Sequence, residues 1–201
     1  PLTGQLSHNG NLATNVYPVA LIVHPSGRFV LSLSMTDDTI SVYRIDLING
    51  RLSEITQSPF PTHARSPFSI SIHPSGRFVY VSARVGQILA FRFDEQSGVL
   101  TPVPGSPYAS QRRPRSVKVH PSGRFLYASN AYDNSITAYA IDQTSGALSP
   151  LPGSPYDTGE KGDLDPKLLH TLDAPPEAGG IPYTLAIHPS GRFLYVTNWL
   201  G

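Results

Sequence analysis

The side chains in this sequence with chemistry to offer are seven histidines and a scatter of arginines; the absence of cysteine excludes disulfides, thiolate nucleophiles and thiolate metal sites. Four of the histidines (His24, His73, His120, His188) open the same hexamer, His-Pro-Ser-Gly-Arg-Phe. A residue repeated in every unit is expected to serve the unit, so these imidazoles are assigned to bonding the turn backbone. His63 stands outside the repeat beside Arg65 and is the one weak candidate for acid-base work, an exposed loop histidine being the competing reading. His170, flanked by Asp165 and Asp173, matches no metal-ligand spacing, so neither metal nor cofactor is expected. Arg65, Arg84, Arg113 and Arg115, with the amides of Asn130 and Asn198, form the candidate substrate-binding set. Each guanidinium offers a planar fork that suits a carboxylate or phosphate, the competing reading being solvated arginines at strand ends.

The elements that position these residues follow from the repeat. Six residues before each hexamer histidine stands a proline (Pro18, Pro67, Pro114, Pro182), and apolar residues alternate up to the histidine, as in Ile70 and Ile72. Period two predicts a strand. Within the hexamer, proline suits the first central position of a type I turn and glycine the left-handed position after it, so a tight hairpin is expected. The chain resumes in apolar runs such as Phe78-Val-Tyr-Val-Ser, as suits a strand covered on both faces. A further strand follows (Ile40–Ile45, Ile88–Phe93, Ile136–Ile141), then Gly-x-Leu-Ser/Thr, then an ending Ser-Pro-Phe60 or Gly-Ser-Pro-Tyr at Tyr108 and Tyr156.

Four short strands joined by tight turns at a period of about 48 residues predict an all-β protein, a β-propeller of four-stranded antiparallel blades. Residues 17–60, 66–108 and 113–156 are each a blade, and 181–201 the first half of another. Residues 1–10, with Thr3-Gly-Gln-Leu-Ser7, read as the last strand of a preceding blade. The interval from His120 to His188 exceeds the others by about twenty residues, which places an insertion loop at 158–180, a candidate lid. About three and a half blades are thus expected in one propeller unit, 1–201, a fragment of a larger ring whose open faces would favour self-association.

Proline (20) and glycine (17) fall between the apolar runs as turn punctuation, and the formal net charge of +1 gives no reason to expect a nucleic-acid partner. Arg112-Arg113-x-Arg115 alone is too small a basic patch for one. No apolar run approaches the length of a membrane span, so no membrane partner is expected, and with Pro1 as first residue the compartment stays open between cytoplasmic and periplasmic or secreted.

In such a blade the hexamer hairpins and Gly-x-Leu turns share one rim. The loops entering the first strand and leaving the second share the other, where the channel opens. That second rim collects Asn15, Asp37, Asp38, His63, Arg65, Arg84, Arg112, Arg113, Arg115, Asn130, Asp133, Tyr183, Asn198 and Trp199. A small anionic substrate or ligand is the expected partner.

Tyr195-Val-Thr-Asn198, after a hairpin with a His-Pro-x-Gly-Arg turn, resembles the signature of YVTN-type propellers, and the whole pattern is similar to the seven-bladed lactonase family. The resemblance implies 6-phosphogluconolactonase-like hydrolysis or muconate-type cyclisation of a small anionic lactone. The alternative is a non-catalytic scaffold binding a protein, a glycan or a small ligand. Phosphogluconolactonase-like members carry Pro-Arg-His entering an inner strand and Asn-Glu leaving the next. Here the matching residues are Pro114-Arg115-Ser116 and Asn130-Ala131, which keep the arginine and asparagine and lack the histidine and glutamate.

Overall fold

The computed structural model describes residues 8, 10, 14–158, 169–171 and 181–199, and its regular elements are all strands. The first sheet holds β1 (Pro18–Val23), β2 (Phe29–Ser34), β3 (Thr39–Ile45), β4 (Leu52–Glu54) and β5 (Phe60–Pro61). The second repeats it with β6 (Pro67–Ile72), β7 (Phe78–Ala83), β8 (Gln87–Phe93), β9 (Leu100–Pro102) and β10 (Tyr108–Ala109). The third has β11 (Pro114–Val119), β12 (Phe125–Asn130), β13 (Ser135–Ile141), β14 (Leu148–Pro150) and β15 (Tyr156–Asp157). In each the first three strands run antiparallel in sequence order.

The fourth strand of each blade comes in two short pieces, both paired to the third strand. At the break sits Ser58-Pro59, Ser106-Pro107 or Ser154-Pro155, each joined by a cis peptide bond. The serine hydroxyl takes the place of the missing ladder carbonyl, accepting the amide of Val42 (3.0 Å), Ala90 (3.0 Å) or Ala138 (2.9 Å). That substitution explains why Ser-Pro recurs: the outer edge is interrupted without leaving the amide unpaired.

A fourth sheet contains β16 (Leu169–Thr171), β17 (Ile181–Ile187) and β18 (Leu194–Trp199). Strands β17 and β18 form the expected hairpin, and β16 runs parallel to β18 on its other edge. It lies within 158–180, a span read from sequence as a loop, because its prolines and charges mask a three-residue strand. The remainder of that span after Thr158, including Asp165 and Asp173, and the strand expected near residues 3–7 lie outside the described residues, as does the His170 side chain.

Each hexamer closes its hairpin as the pattern requires. In the second, Gly76 N–H donates to His73 O and His73 N–H to Phe78 O, both at 2.8 Å, and Gly76 holds φ +77°. The blades stack face to face. Phe29, Leu31 and Val42 of the first meet Ile70, Val81 and Phe91 of the second, and Phe78 and Tyr80 of the second meet Val117 and Leu126 of the third. Strands β2 and β7 are buried along their whole length, consistent with their unbroken apolar runs.

Two polar devices join neighbouring blades, and both use repeat residues. The hexamer imidazole reaches across: Nε2 of His24, His73 and His120 lies 2.9 Å from the carbonyl of Gly76, Gly123 and Gly191. A carbonyl only accepts, so Nε2 carries the proton, and Nδ1 accepts from the turn serine amide, 3.1 Å away for His73. Near the axis, the Ser69 and Ser71 hydroxyls accept the amides of Val117 (3.2 Å) and Val119 (3.0 Å), and Ser116 accepts that of Leu185 (3.2 Å). Where the residue four or two before the hexamer histidine is serine, as at Ser69, Ser71 and Ser116, it thus pairs the inner-strand edge of the next blade.

Candidate functional site

The proline that opens each inner strand is followed by an irregularity in register. Pairing shifts between Pro18 and Ala20, Pro67 and Ser69, Pro114 and Ser116, and Pro182 and Thr184. The residue left over is Val19, Phe68, Arg115 and Tyr183 in turn. A bulge re-aims its extra side chain out of the pleat, and here the re-aimed side chains of three successive blades meet. The Arg115 guanidinium lies 4.9 Å from the Phe68 ring centroid and 4.5 Å from that of Tyr183. The two rings stand perpendicular, 6.4 Å apart. Such a cation held between ring faces is fixed in orientation while its charge remains unneutralised.

Beside this trio is an open cleft of about 500 Å³, lined by Arg115, Tyr183, Thr197 and Asn198. Arg115 Nε and Asn198 Oδ1 are both buried and lack a hydrogen-bond partner among the described residues. Buried polar atoms are nearly always paired, so these two stand out in the cleft lining, as Arg113 Nε does in the lining of the second cleft and Tyr43 Oη away from both. Phe68 and Thr197 were not anticipated from sequence. The signal for Phe68 was present: the position after the repeat proline varies from blade to blade amid otherwise constant residues.

The other candidates are placed differently. Arg84 and Arg113 line a second cleft, of about 450 Å³, with Val85, Arg112 and Tyr132. Asn130 is fully buried and spent inside its own blade, donating to Thr137 Oγ1 at 2.8 Å and Ser135 Oγ at 3.2 Å and accepting from Ser110 Oγ at 2.9 Å. Arg65 and His63 are exposed and line neither cleft. The mouth-rim carboxylates are engaged in holding strand entrances. Asp37 accepts the Val16 amide at 2.6 Å and Asp38 the Ser66 amide at 2.7 Å. Asp133 accepts from Arg112, whose hydrogen bond holds its carboxyl below the usual carboxylate range. Among the described residues no three histidine, aspartate or glutamate side chains converge as metal ligands would. The Trp199 side chain lies outside the described residues.

The family model for lactonases with a seven-bladed β-propeller matches residues 55–164, more than half of the chain. The chain belongs to the seven-bladed lactonase family. Solved structures similar to this lactonase-family chain include the periplasmic gluconolactonase of Pseudomonas aeruginosa, at 27% identity and TM-score 0.60, covering 70% of this chain and 41% of that one. A Lactobacillus plantarum protein is similar at 25% identity and TM-score 0.67, covering 74% and 45%. A 6-phosphogluconolactonase candidate from Bacteroides fragilis gives 26%, 0.62, 67% and 38%. The chain thus spans about two fifths of the length of these structures, in keeping with the partial ring of its blades. No curated protein matches the sequence.

Proposed function

We propose that the propeller containing this chain opens or forms a small anionic lactone at the channel mouth, with Arg115 as the residue that binds and orients it. The observation that carries the reading is the Arg115 guanidinium, held against the Phe68 and Tyr183 rings in the wall of a cleft with no carboxylate among its described lining residues. A carboxylate or phosphate on the lactone takes the guanidinium fork, and the ring lies against the aromatic wall. With its cation pre-oriented by Phe68 and Tyr183, the site loses little freedom on binding. In hydrolysis a water adds to the lactone carbonyl, the ring C–O bond breaks and a proton from the water passes to the departing ring oxygen, giving the hydroxy acid, while Arg115 holds the substrate's anionic group in place. The lactonase relatives named above support this substrate class.

A specific observation favours a second reading, a binding propeller without turnover. Where phosphogluconolactonase-like members carry histidine and glutamate, this chain has Ser116, whose hydroxyl is committed to the Leu185 amide, and the buried Ala131. The deciding assay follows hydrolysis of 6-phosphogluconolactone and of gluconolactone by the full-length protein, corrected for spontaneous opening, beside Arg115→Ala. Turnover that falls at least about tenfold in the variant, the loss of one charge-assisted contact, supports the lactonase reading. Binding of either lactone without turnover selects the second.

A further inference from the structure

The second cleft lies between the exit of β7 and the entrance to β11 on the same rim and shares no lining residue with the Arg115 cleft. Its charge is unbalanced. Both Asp133 oxygens serve Arg112: Oδ1 accepts from Nε at 2.7 Å and forms the ion pair with Nη2 at 2.6 Å, and Oδ2 accepts from the Arg112 amide at 2.5 Å. That leaves Arg84 and Arg113 facing the cleft without a carboxylate among the described residues. Arg113 is held in place: its backbone takes φ +57°, its guanidinium lies 4.5 Å over the Tyr132 ring, and Nη1 donates to the Tyr132 hydroxyl. Its Nε is buried without a partner among the described residues. Arg84 has its amide fixed to Ser66 O at 3.1 Å while its side chain makes no hydrogen bond or ion pair among the described residues. Val85 and Tyr132, each more than half exposed, supply apolar walls.

We infer that this cleft is a separate binding site for an organic oxyanion, a carboxylate or phosphate ester carried on a flat apolar body. The oxyanion bridges the Arg84 and Arg113 guanidiniums, relieving the repulsion between two cations in one cleft. The body lies between Val85 and the Tyr132 ring. A volume of about 450 Å³ suits a ligand of one or two rings. The site does not depend on any reaction at Arg115, because the two clefts present separate cations to solvent.

Amide chemical-shift titration of the full chain with phenyl phosphate tests this, with inorganic phosphate as comparison. Val85 and Tyr132 amides are expected to shift together. Arg84→Gln should weaken that titration about tenfold, since a hydrogen bond to a charged group is lost. Arg115→Gln should leave it unchanged while altering any response at Tyr183 and Asn198. Because the Arg84 side chain has no hydrogen bond or ion pair to lose among the described residues, this variant is expected to stay folded even if Arg113→Gln, which breaks the Tyr132 stacking, does not. The inference fails if Val85 and Tyr132 do not respond at millimolar phenyl phosphate, or if Arg84→Gln titrates like wild type. It also fails if only Arg115→Gln removes the response, and equal binding of inorganic phosphate removes the apolar body from the ligand class.

Discussion

Gly123 meets two separate demands. Its φ of +74° disfavours any side chain, and a Cβ there would stand 2.5 Å from His73 Nε2. Gly27 occupies the same hexamer position with φ +68° and has nothing within 4 Å of its virtual Cβ. Gly27→Ala should therefore cost about 1 kcal/mol, the left-handed penalty alone. Gly123→Ala should cost about 1–3 kcal/mol more, because the imidazole must leave its carbonyl. Urea denaturation of the two variants measures the difference, and equal costs would remove the clasp from the account. The burial of this imidazole sets a pH dependence. Burial holds the His73 imidazole below its ordinary value of 6.5, so the unfolded chain takes up the proton first as pH falls. Stability from this group is full above 6.5 and is lost progressively below it, down through the folded value. His73→Gln should flatten the denaturant midpoint between pH 7.5 and pH 5 relative to wild type.

At the scale of the element, the inner strand is where the repeat does its joining. Strand β11 turns the amides of Val117 and Val119 away from β12, and serines of the preceding blade accept them. Ser71→Ala would leave the Val119 amide unpaired at a blade interface, a loss of about 1–3 kcal/mol. Native-state hydrogen exchange should show Val119 less protected while amides in β12 keep their rates; an unchanged Val119 would count against the bridge. The hexamer phenylalanine has a corresponding role on the opposite rim. Phe29 fills the space over Gly98 and Phe78 the space over Gly146, so the aromatic of one blade covers the Gly-x-Leu turn of the next. Two motifs that lie some seventy residues apart in the chain recur together because they touch.

For the whole molecule, stability comes from blade-to-blade faces, each holding only its neighbours. Phe91, 3% exposed between the first two blades, should cost about 3–5 kcal/mol when truncated to alanine. The first blade presents Leu21 and Val23 at 69% and 57% exposure, where Ile70 and Ile72 of the next blade are covered by a preceding sheet. We propose that this apolar face draws copies of the isolated chain together. Sedimentation at rising concentration should show association that Leu21→Lys with Val23→Lys abolishes; association unaffected by the pair would place it elsewhere.

The propeller was legible because it rests on local order: period-two strands, a proline-glycine turn at fixed spacing and the return of both every 48 or so residues act within a few residues of each other. The assignment of the hexamer histidines to structure follows from the same repetition. What the histidines bond, across 50 or more residues to the next blade, is a matter of stacking that no local pattern encodes. The site was legible only as a rim. Arg113 and Arg115 sit two residues apart and read alike, yet one stacks on Tyr132 of its own blade and the other between Phe68 and Tyr183 of its neighbours. Asn130, alike in sequence to a ligand-binding amide, is turned inward and satisfied. Sequence by itself determined the fold class, because strand period and turn chemistry act locally. Tertiary structure alone decided which arginine joins which cleft, because a bulge and a left-handed residue at the strand entrance re-aim side chains in ways that depend on the blades on either side.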